Sequence, residues 1–164
     1  MSEYYTITPG FFENLPKKSS SSGVIFYNDA GEILLVKPNY KPGWGLPGGM
    51  LDTLESPTAG AIREVQEEIG LFKPNMEILC IDYIHQSNPE RDAIQFIFSG
   101  GILSSDEINQ IVLQESELDD FQFMKPEIAI SNLGTNVAKR IQAILSHKGA
   151  YPIYLEHGMP PGAK

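Results

Sequence analysis

The chain has 164 residues, of which 41% are hydrophobic, so it is long enough for one well-buried core and too short to favour two domains. Its formal net charge of −9 argues against broad binding to nucleic acid or to an anionic membrane, and no apolar run approaches the length of a membrane span. We therefore expect one domain over residues 1–164 that binds a small molecule, with residues 1–20 as an N-terminal extension and residues 150–164 as an irregular tail.

Cysteine usage and the first residues indicate the compartment. Cys80 is the single cysteine, so no internal disulfide can form, and its apolar surroundings at 78–84 predict a buried position on a strand. The N-terminal sequence has neither the basic region nor the apolar run of a signal peptide. Together these features favour a reducing cytoplasm.

Strand and helix signals alternate along the chain. Residues 19–22, a short serine run, are predicted as an exposed lead-in to the first strand. Residues 23–27 and 32–37 are β-branched and aromatic runs on either side of turn formers, which predicts a hairpin. Helices are predicted at 57–69 and 136–146, and further strands at 76–85, 93–103 and 119–124. Strands that bracket helices in this way predict an α/β fold with a mixed sheet.

Local signals mark both ends of the helix at 57–69. Ser56 can cap free backbone N–H groups, Pro57 fits the first helical position, and Gly70 is a natural C-terminal stop. On a helical wheel of about 100° per residue, one side of this helix is apolar. Its members are Ile62, Val65 and Ile69.

The opposite side of the helix is acidic. Glu64, Glu67 and Glu68 fall within about a third of the circumference, and no lysine or arginine follows any of them by four residues. One alternative is a solvated charged face, although such a face normally mixes charges of both signs. A hard divalent cation with oxygen ligands would neutralise these carboxylates, so we favour a metal site over a solvated face.

A glycine-rich segment at 44–49, WGLPGG, leads into this helix. Gly48 and Gly49 let the backbone approach a ligand closely, and a carbonyl there would add an oxygen to a coordination shell. The same glycines suit a tight turn with positive φ, and both interpretations can hold together.

Residues 49–71 read GMLDTLESPTAGAIREVQEEIGL. They fit the pattern of G, five residues, E, seven residues and R-E-hydrophobic-x-E-E-x-G-hydrophobic at every specified position. This segment resembles the signature of the Nudix hydrolases, and residues 46–49 match the usual lead-in to it. The resemblance implies an α/β/α sandwich around a central mixed β-sheet, with the signature forming a loop, a helix and a loop. It also implies a Mg²⁺- or Mn²⁺-dependent hydrolase that cleaves a phosphoanhydride bond.

The resemblance also implies roles for individual residues of the signature. Arg63 and Glu55 would form a structural pair that holds the loop and orients Glu64, and Gly49 and Gly70 would shape the two loops. The metal ligands would be the Gly48 carbonyl and the carboxylates of Glu64, Glu67 and Glu68.

The general base stays open between two locations. Glu67 or Glu68 would combine the roles of ligand and base, whereas many members of the family place the base on a separate loop. In this chain the loop before the strand at 119–124 contains Glu115 and Glu117, of which we favour Glu117. A solvent-facing acid in an acidic loop is the alternative.

Candidates for substrate contacts lie outside the signature. Lys37, Lys41 and Arg91 are cations that could bind a phosphate, although an exposed strand-end lysine is the simpler interpretation of Lys37. Aromatic residues near the N-terminus could stack on a base, but packing or a homodimer contact is favoured for them. They are Tyr4, Tyr5, Phe11 and Phe12.

The expected substrate is a nucleoside triphosphate, an ADP-ribose-like compound or a nucleotide sugar. The alternative is a non-catalytic Nudix-fold module that binds or senses a nucleotide. We expect no nucleic acid or membrane partner.

Overall fold

The structure, a computed structural model, describes residues 10–11, 15–85 and 92–163. Within these residues six strands form one mixed sheet: β1 (Ser19–Tyr27), β2 (Ile33–Pro38), β3 (Glu77–Ile84), β4 (Ala93–Ile102), β5 (Leu118–Met124) and β6 (Ile153–Glu156). Their order in the sheet is β5-β2-β1-β4-β3-β6. The β1–β4 and β3–β6 pairs are parallel and the other pairs are antiparallel.

In the described part of the chain, four helices accompany the sheet: α1 (Pro57–Ile69), α2 (Ser105–Asn109), α3 (Pro126–Asn132) and α4 (Thr135–Ser146). Val65 of α1 packs in one buried cluster with Val24 of the sheet, and Ile141 of α4 packs in a second cluster with Ile25. Because neighbouring residues of a strand point to opposite faces, the two clusters lie on opposite sides of the sheet. The predicted α/β/α sandwich is confirmed. Each fully buried aliphatic side chain stabilises it by about 1.5–3 kcal/mol.

The ends of α1 coincide with the predicted ones. The Ala59 N–H donates to Ser56 Oγ at 3.2 Å, and Pro57 occupies the first turn. At the other end Gly70 adopts φ 75°, and its N–H donates to the Gln66 carbonyl at 3.1 Å. Local capping chemistry therefore fixes where the helix begins and ends.

Several segments differ from the sequence expectation. The serine run is not a lead-in: Ser19 begins β1 and pairs with Ala93, and Ser22 is buried. The C-terminal segment is not wholly irregular, because β6 lies parallel to β3 at the edge of the sheet. The short helices α2 and α3 were not predicted.

Two further observations concern buried side chains and membranes. Cys80 is fully buried on β3, as predicted, and burial raises the pKa of its thiol to about 12.

Among the described residues, no helix has the length and apolar character needed to cross a membrane.

Candidate active site

The loop before α1 is held against β1 by alternating hydrogen bonds. The N–H groups of Val24 and Ser22 donate to the carbonyls of Pro47 and Gly49, both at 2.9 Å. The carbonyl between them, that of Gly48, has no hydrogen-bond partner among the described residues. Gly48 has φ 136°, and a Cβ there would collide with the Ser22 carbonyl oxygen. This position therefore requires glycine, and it leaves one backbone oxygen free beside the helix.

The three glutamates of α1 lie at different depths. The Glu67 side chain is 51% exposed, the Glu64 side chain 13%, and Glu68 as a residue only 7%. Glu68 Oε2 accepts a hydrogen bond of 2.7 Å from the Gly48 N–H. Burial raises the pKa of Glu68 to about 7, against the effect of this hydrogen bond, and the nearby carboxylates of Glu64 and Glu117 raise it further. Glu68 is thus a carboxylate at the floor of the site rather than on its surface.

Arg63 connects these acids to the preceding loop. Its Nε and Nη2 bind the two oxygens of Glu55 at 2.8 and 2.9 Å, a bidentate pair that lowers the pKa of Glu55 to about 2. Its Nη1 lies 2.9 Å from oxygens of both Glu64 and Glu67. The expectation of an acidic face without a basic partner is therefore wrong, because Arg63 precedes Glu67 by four residues and neutralises part of it.

Residues of α1, of the sheet and of α4 line a cleft of about 430 Å³. At one end it is lined by Gly48, Gly49, Glu64, Glu68, Lys41 and Glu117. The Asn39 N–H donates to the Glu117 carbonyl at 2.9 Å, which ties the segment after β2 to the loop before β5. This contact explains how Lys41 and Glu117 reach the cleft from separate parts of the chain.

Other predicted site residues lie elsewhere. Lys37 is exposed on β2, where it pairs in register with Asp120, and it does not line the cleft. Glu67 lies in a neighbouring depression with Glu55 and Arg63. Glu115 does not line the cleft, and Phe11 is 51% exposed. Four candidates fall outside the described residues: Tyr4, Tyr5, Phe12 and Arg91.

Comparison with known proteins gives the family. A model described as NUDIX domain matches residues 17–144. The chain belongs to the NUDIX family. Among solved structures, it is similar to a MutT protein of Methanosarcina mazei Go1, with a TM-score of 0.60 and 24% identity over 82% of this chain and 100% of that one. A C. elegans Ap4A hydrolase aligns with a TM-score of 0.60 and 22% identity over 77% and 96% of the two chains. These identities support the NUDIX fold alone.

Sequence relatives match over short segments of the chain. An RNA pyrophosphohydrolase of Pseudomonas putida F1 is 37% identical over 58 residues, which cover 35% of this chain and 36% of that protein. A putative 8-oxo-dGTP diphosphatase of Bacillus subtilis 168 is 49% identical over 47 residues, which cover 29% and 32%. The matched segment therefore spans about a third of the length of these relatives.

NUDIX proteins generally use divalent metals, and the donors here suit such an ion in kind. Glu64, Glu68 and the free Gly48 carbonyl offer the hard oxygen atoms that Mg²⁺ and Mn²⁺ prefer. Within the described part of the chain, however, no three acidic, histidine or cysteine side chains are arranged as a metal site. Arg63 Nη1 lies 2.9 Å from oxygens of Glu64 and Glu67. A divalent ion would therefore compete with Arg63 for these carboxylates.

Sequence reasoning missed the far end of this NUDIX cleft. Gln95, Val137 and Arg140 line it there, and Tyr40 lines the cleft next to Lys41. No local sequence pattern singles out these residues. Arg140 is 1% exposed, and a buried arginine on an otherwise ordinary helix carries no periodicity signal. A separate and larger groove of about 850 Å³ lies between α4 and β6 and contains no residue of the signature.

Proposed function

We propose that this NUDIX chain is a metal-dependent hydrolase that cleaves a phosphoanhydride bond in a nucleoside diphosphate-linked compound. A nucleoside triphosphate, an ADP-ribose-like compound and a nucleotide sugar all fit this description. The observation that carries the proposal is that Glu64 and Glu68 line one cleft together with Lys41 and Glu117. Relatives named RNA pyrophosphohydrolase and putative 8-oxo-dGTP diphosphatase support the same reaction class.

The proposed cation ligands are Glu64, Glu67, Glu68 and the Gly48 carbonyl. Mg²⁺ or Mn²⁺, when bound, neutralises phosphate charge and makes a bound water more acidic. Arg63 and Glu55 act as a positioning pair, since their bidentate contact joins α1 to the loop that precedes it. The Arg63 Nη1 contacts hold the carboxylates of Glu64 and Glu67, and a bound cation would replace Arg63 as their partner.

Glu117 is the favoured general base, with Glu67 and Glu68 as alternatives that would combine this role with ligation. Glu117 lines the cleft opposite α1, and Gln114 Nε2 lies 3.4 Å from its Oε1. In the proposed role it removes the proton of the attacking water. Lys41, at the same end of the cleft, binds a non-bridging phosphate oxygen as a point charge.

Partner and compartment follow from the same features. A net charge of −9 suits a small phosphorylated substrate, bound in a local site, better than nucleic acid. A reducing compartment such as the cytoplasm suits a chain whose one cysteine is buried and unpaired. We propose one catalytic domain and leave a homodimer to direct measurement.

The test is hydrolysis of a panel of nucleoside triphosphates, dinucleotides and nucleotide sugars with Mg²⁺ or Mn²⁺. Glu68→Gln keeps the size of the side chain but removes its charge, so we expect kcat to fall by roughly 100- to 10,000-fold. Glu127→Gln is the matched control, because Glu127 is exposed on α3 and does not line the cleft.

The outcomes distinguish the hydrolase from the non-catalytic binding module. Hydrolysis that survives in Glu68→Gln at the wild-type rate contradicts the site assignment. Well-folded protein that binds a nucleotide by calorimetry but releases no product across the panel supports the non-catalytic binding module instead.

A further inference from the structure

Two buried side-chain atoms lack a hydrogen-bond partner among the described residues, and both belong to residues that line the same cleft. They are Ser22 Oγ and Arg140 Nη2. An unsatisfied buried donor is costly, so native structures rarely keep one without a reason. A guanidinium group is always charged and can only donate, which makes Arg140 the more demanding of the two.

Arg140 is held in place by β3. Its Nε donates to Asp82 Oδ2 at 2.8 Å, and Asp82 Oδ1 accepts from the Gly158 N–H at 3.0 Å. Asp82 is fully buried and Arg140 is 1% exposed. The pair therefore presents fixed N–H donors with little net charge. Such a group suits a neutral acceptor, such as a carbonyl, better than a phosphate.

The sheet places Gln95 beside Asp82, the residue that holds this guanidinium. Gln95 pairs in register with Asp82 on one side and with Ser21 on the other. Directly opposed residues have Cβ atoms about 4.5–5.5 Å apart on one face, so Gln95 lies next to the side chain that anchors Arg140. Gln95 lines the cleft, and its amide has no partner among the described residues.

Next to this polar end the cleft has apolar walls. Gly23 lies on β1 two residues after Ser21, on the same face, and has no side chain. A Cβ at Gly23 would lie 3.3 Å from Ile97 Cδ1 and 3.7 Å from Leu46 Cδ1, so these two side chains cover Gly23 and form an apolar wall of the cleft. Val137 of α4 lines it as well. A flat ring with a polar edge matches this combination of apolar walls and adjacent hydrogen-bonding groups.

We propose that this end of the cleft binds the base of a nucleotide substrate and selects a base with a carbonyl group at its polar edge. Arg140 donates to the carbonyl, and the Gln95 amide accepts from the neighbouring ring N–H. Adenine carries an amino group in place of the carbonyl, so its N–H donors would face the N–H donors of Arg140 and no hydrogen bond would form. The proposal rests on the proposed function, because the carboxylate end of the cleft must then receive the phosphates.

Inosine and adenosine nucleotides provide the sharpest test, since hypoxanthine carries a carbonyl where adenine carries an amino group. We expect kcat/KM for ITP to exceed that for ATP by about tenfold or more. Binding of IMP and AMP, measured by calorimetry without added metal, should show the same preference. Binding does not depend on turnover, so this second readout separates base selection from hydrolysis.

Two variants locate the preference. Gln95→Met should reduce the inosine-to-adenosine ratio several-fold, mainly through KM, and Arg140→Lys should bring it close to one while retaining a cation for Asp82. Gln142→Met is the control, because Gln142 is an exposed glutamine of α4 that lines the other groove. Denaturation midpoints of all variants identify any variant that fails to fold. If Arg140→Lys fails to fold, Gln95→Met still tests the inference, because Gln95 is only half-buried.

The outcomes are distinct. Hydrolysis with no preference between ITP and ATP, or a preference that survives both variants, overturns this inference and leaves the proposed function standing. A preference for IMP over AMP without hydrolysis of any panel compound retains the base site and rejects the hydrolase. A wild-type preference that both variants lower and Gln142→Met retains supports the inference.

Discussion

Removal of Arg140 should expose how strongly the fold depends on one buried ion pair. Arg140→Met retains most of the aliphatic length but leaves the fully buried Asp82 carboxylate with a single hydrogen bond, from the Gly158 N–H. Breaking a buried pair by removing one partner costs about 3–5 kcal/mol of unfolding free energy. That is a large part of the total stability of about 5–15 kcal/mol expected of a domain.

The double variant Asp82→Leu/Arg140→Met gives the decisive comparison. It removes both charges, so the remaining cost is the Gly158 N–H left without its acceptor, about 1–3 kcal/mol. If the single variants each cost about 3–5 kcal/mol, simple addition predicts about 6–10 kcal/mol for the double variant. We therefore expect a coupling free energy of at least about 3 kcal/mol.

Urea denaturation of the four proteins, followed by circular dichroism, measures these free energies. The reasoning is refuted if Arg140→Met costs less than about 1 kcal/mol, or if the double variant costs the sum of the two single ones. Either result would mean that Asp82 finds water or another partner when Arg140 is removed.

Two further predictions concern other parts of the molecule. A Cβ at Gly49 would lie 2.6 Å from Glu64 Oε1, and Gly49 has no positive φ, so Gly49→Ala should displace this carboxylate and lower kcat about tenfold or more while the urea midpoint changes little. The hydrogen bond from Lys73 is the main cause that lowers the pKa of Glu107 from 4.5 to about 2. Because its folded-state pKa is depressed, Glu107 stabilises the fold above about pH 4.5 and loses this effect as the pH falls towards 2. Urea midpoints should therefore be lower for Glu107→Gln than for wild type at pH 7, and the difference should shrink as the pH falls from 4.5 towards 2. A constant difference across this range would contradict the assignment.

The parts of the fold that the sequence predicts well are those with local causes. The helix at 57–69 was predicted to the residue, since Ser56, Pro57 and Gly70 act on backbone groups within one turn of themselves. The burial of its glutamates was not predicted. A helical wheel gives the direction of each side chain around the helix axis but does not show which loop covers that side chain. Glu68 is covered by the loop that carries Gly48, and the hydrogen bond between these two residues joins positions 20 apart in the chain.

The segments that were mispredicted depend on partners far along the chain. Serine has little preference for strands, yet Ser19 begins β1 because its backbone pairs with Ala93 of β4. In the same way β6 forms from a segment rich in glycine and proline because β3 offers it a parallel edge. Arg140 and Asp82 lie 58 positions apart, so neither residue alone indicates a pair.

The arrangement around Arg63 bears on how the site takes up a cation. One guanidinium contacts the carboxylates of Glu55, Glu64 and Glu67, so the cluster keeps an excess of negative charge even when every contact is made. Glu55 receives the bidentate pair and has its pKa lowered to about 2, whereas Glu64 and Glu67 share a single nitrogen, Nη1. A divalent ion would therefore take Glu64 and Glu67 from Arg63 at the cost of the weaker contacts, while the pair with Glu55 keeps the loop in place. Through these separate contacts, Arg63 can hold the loop in place by its pair with Glu55 and still leave the carboxylates of Glu64 and Glu67 available to a divalent ion.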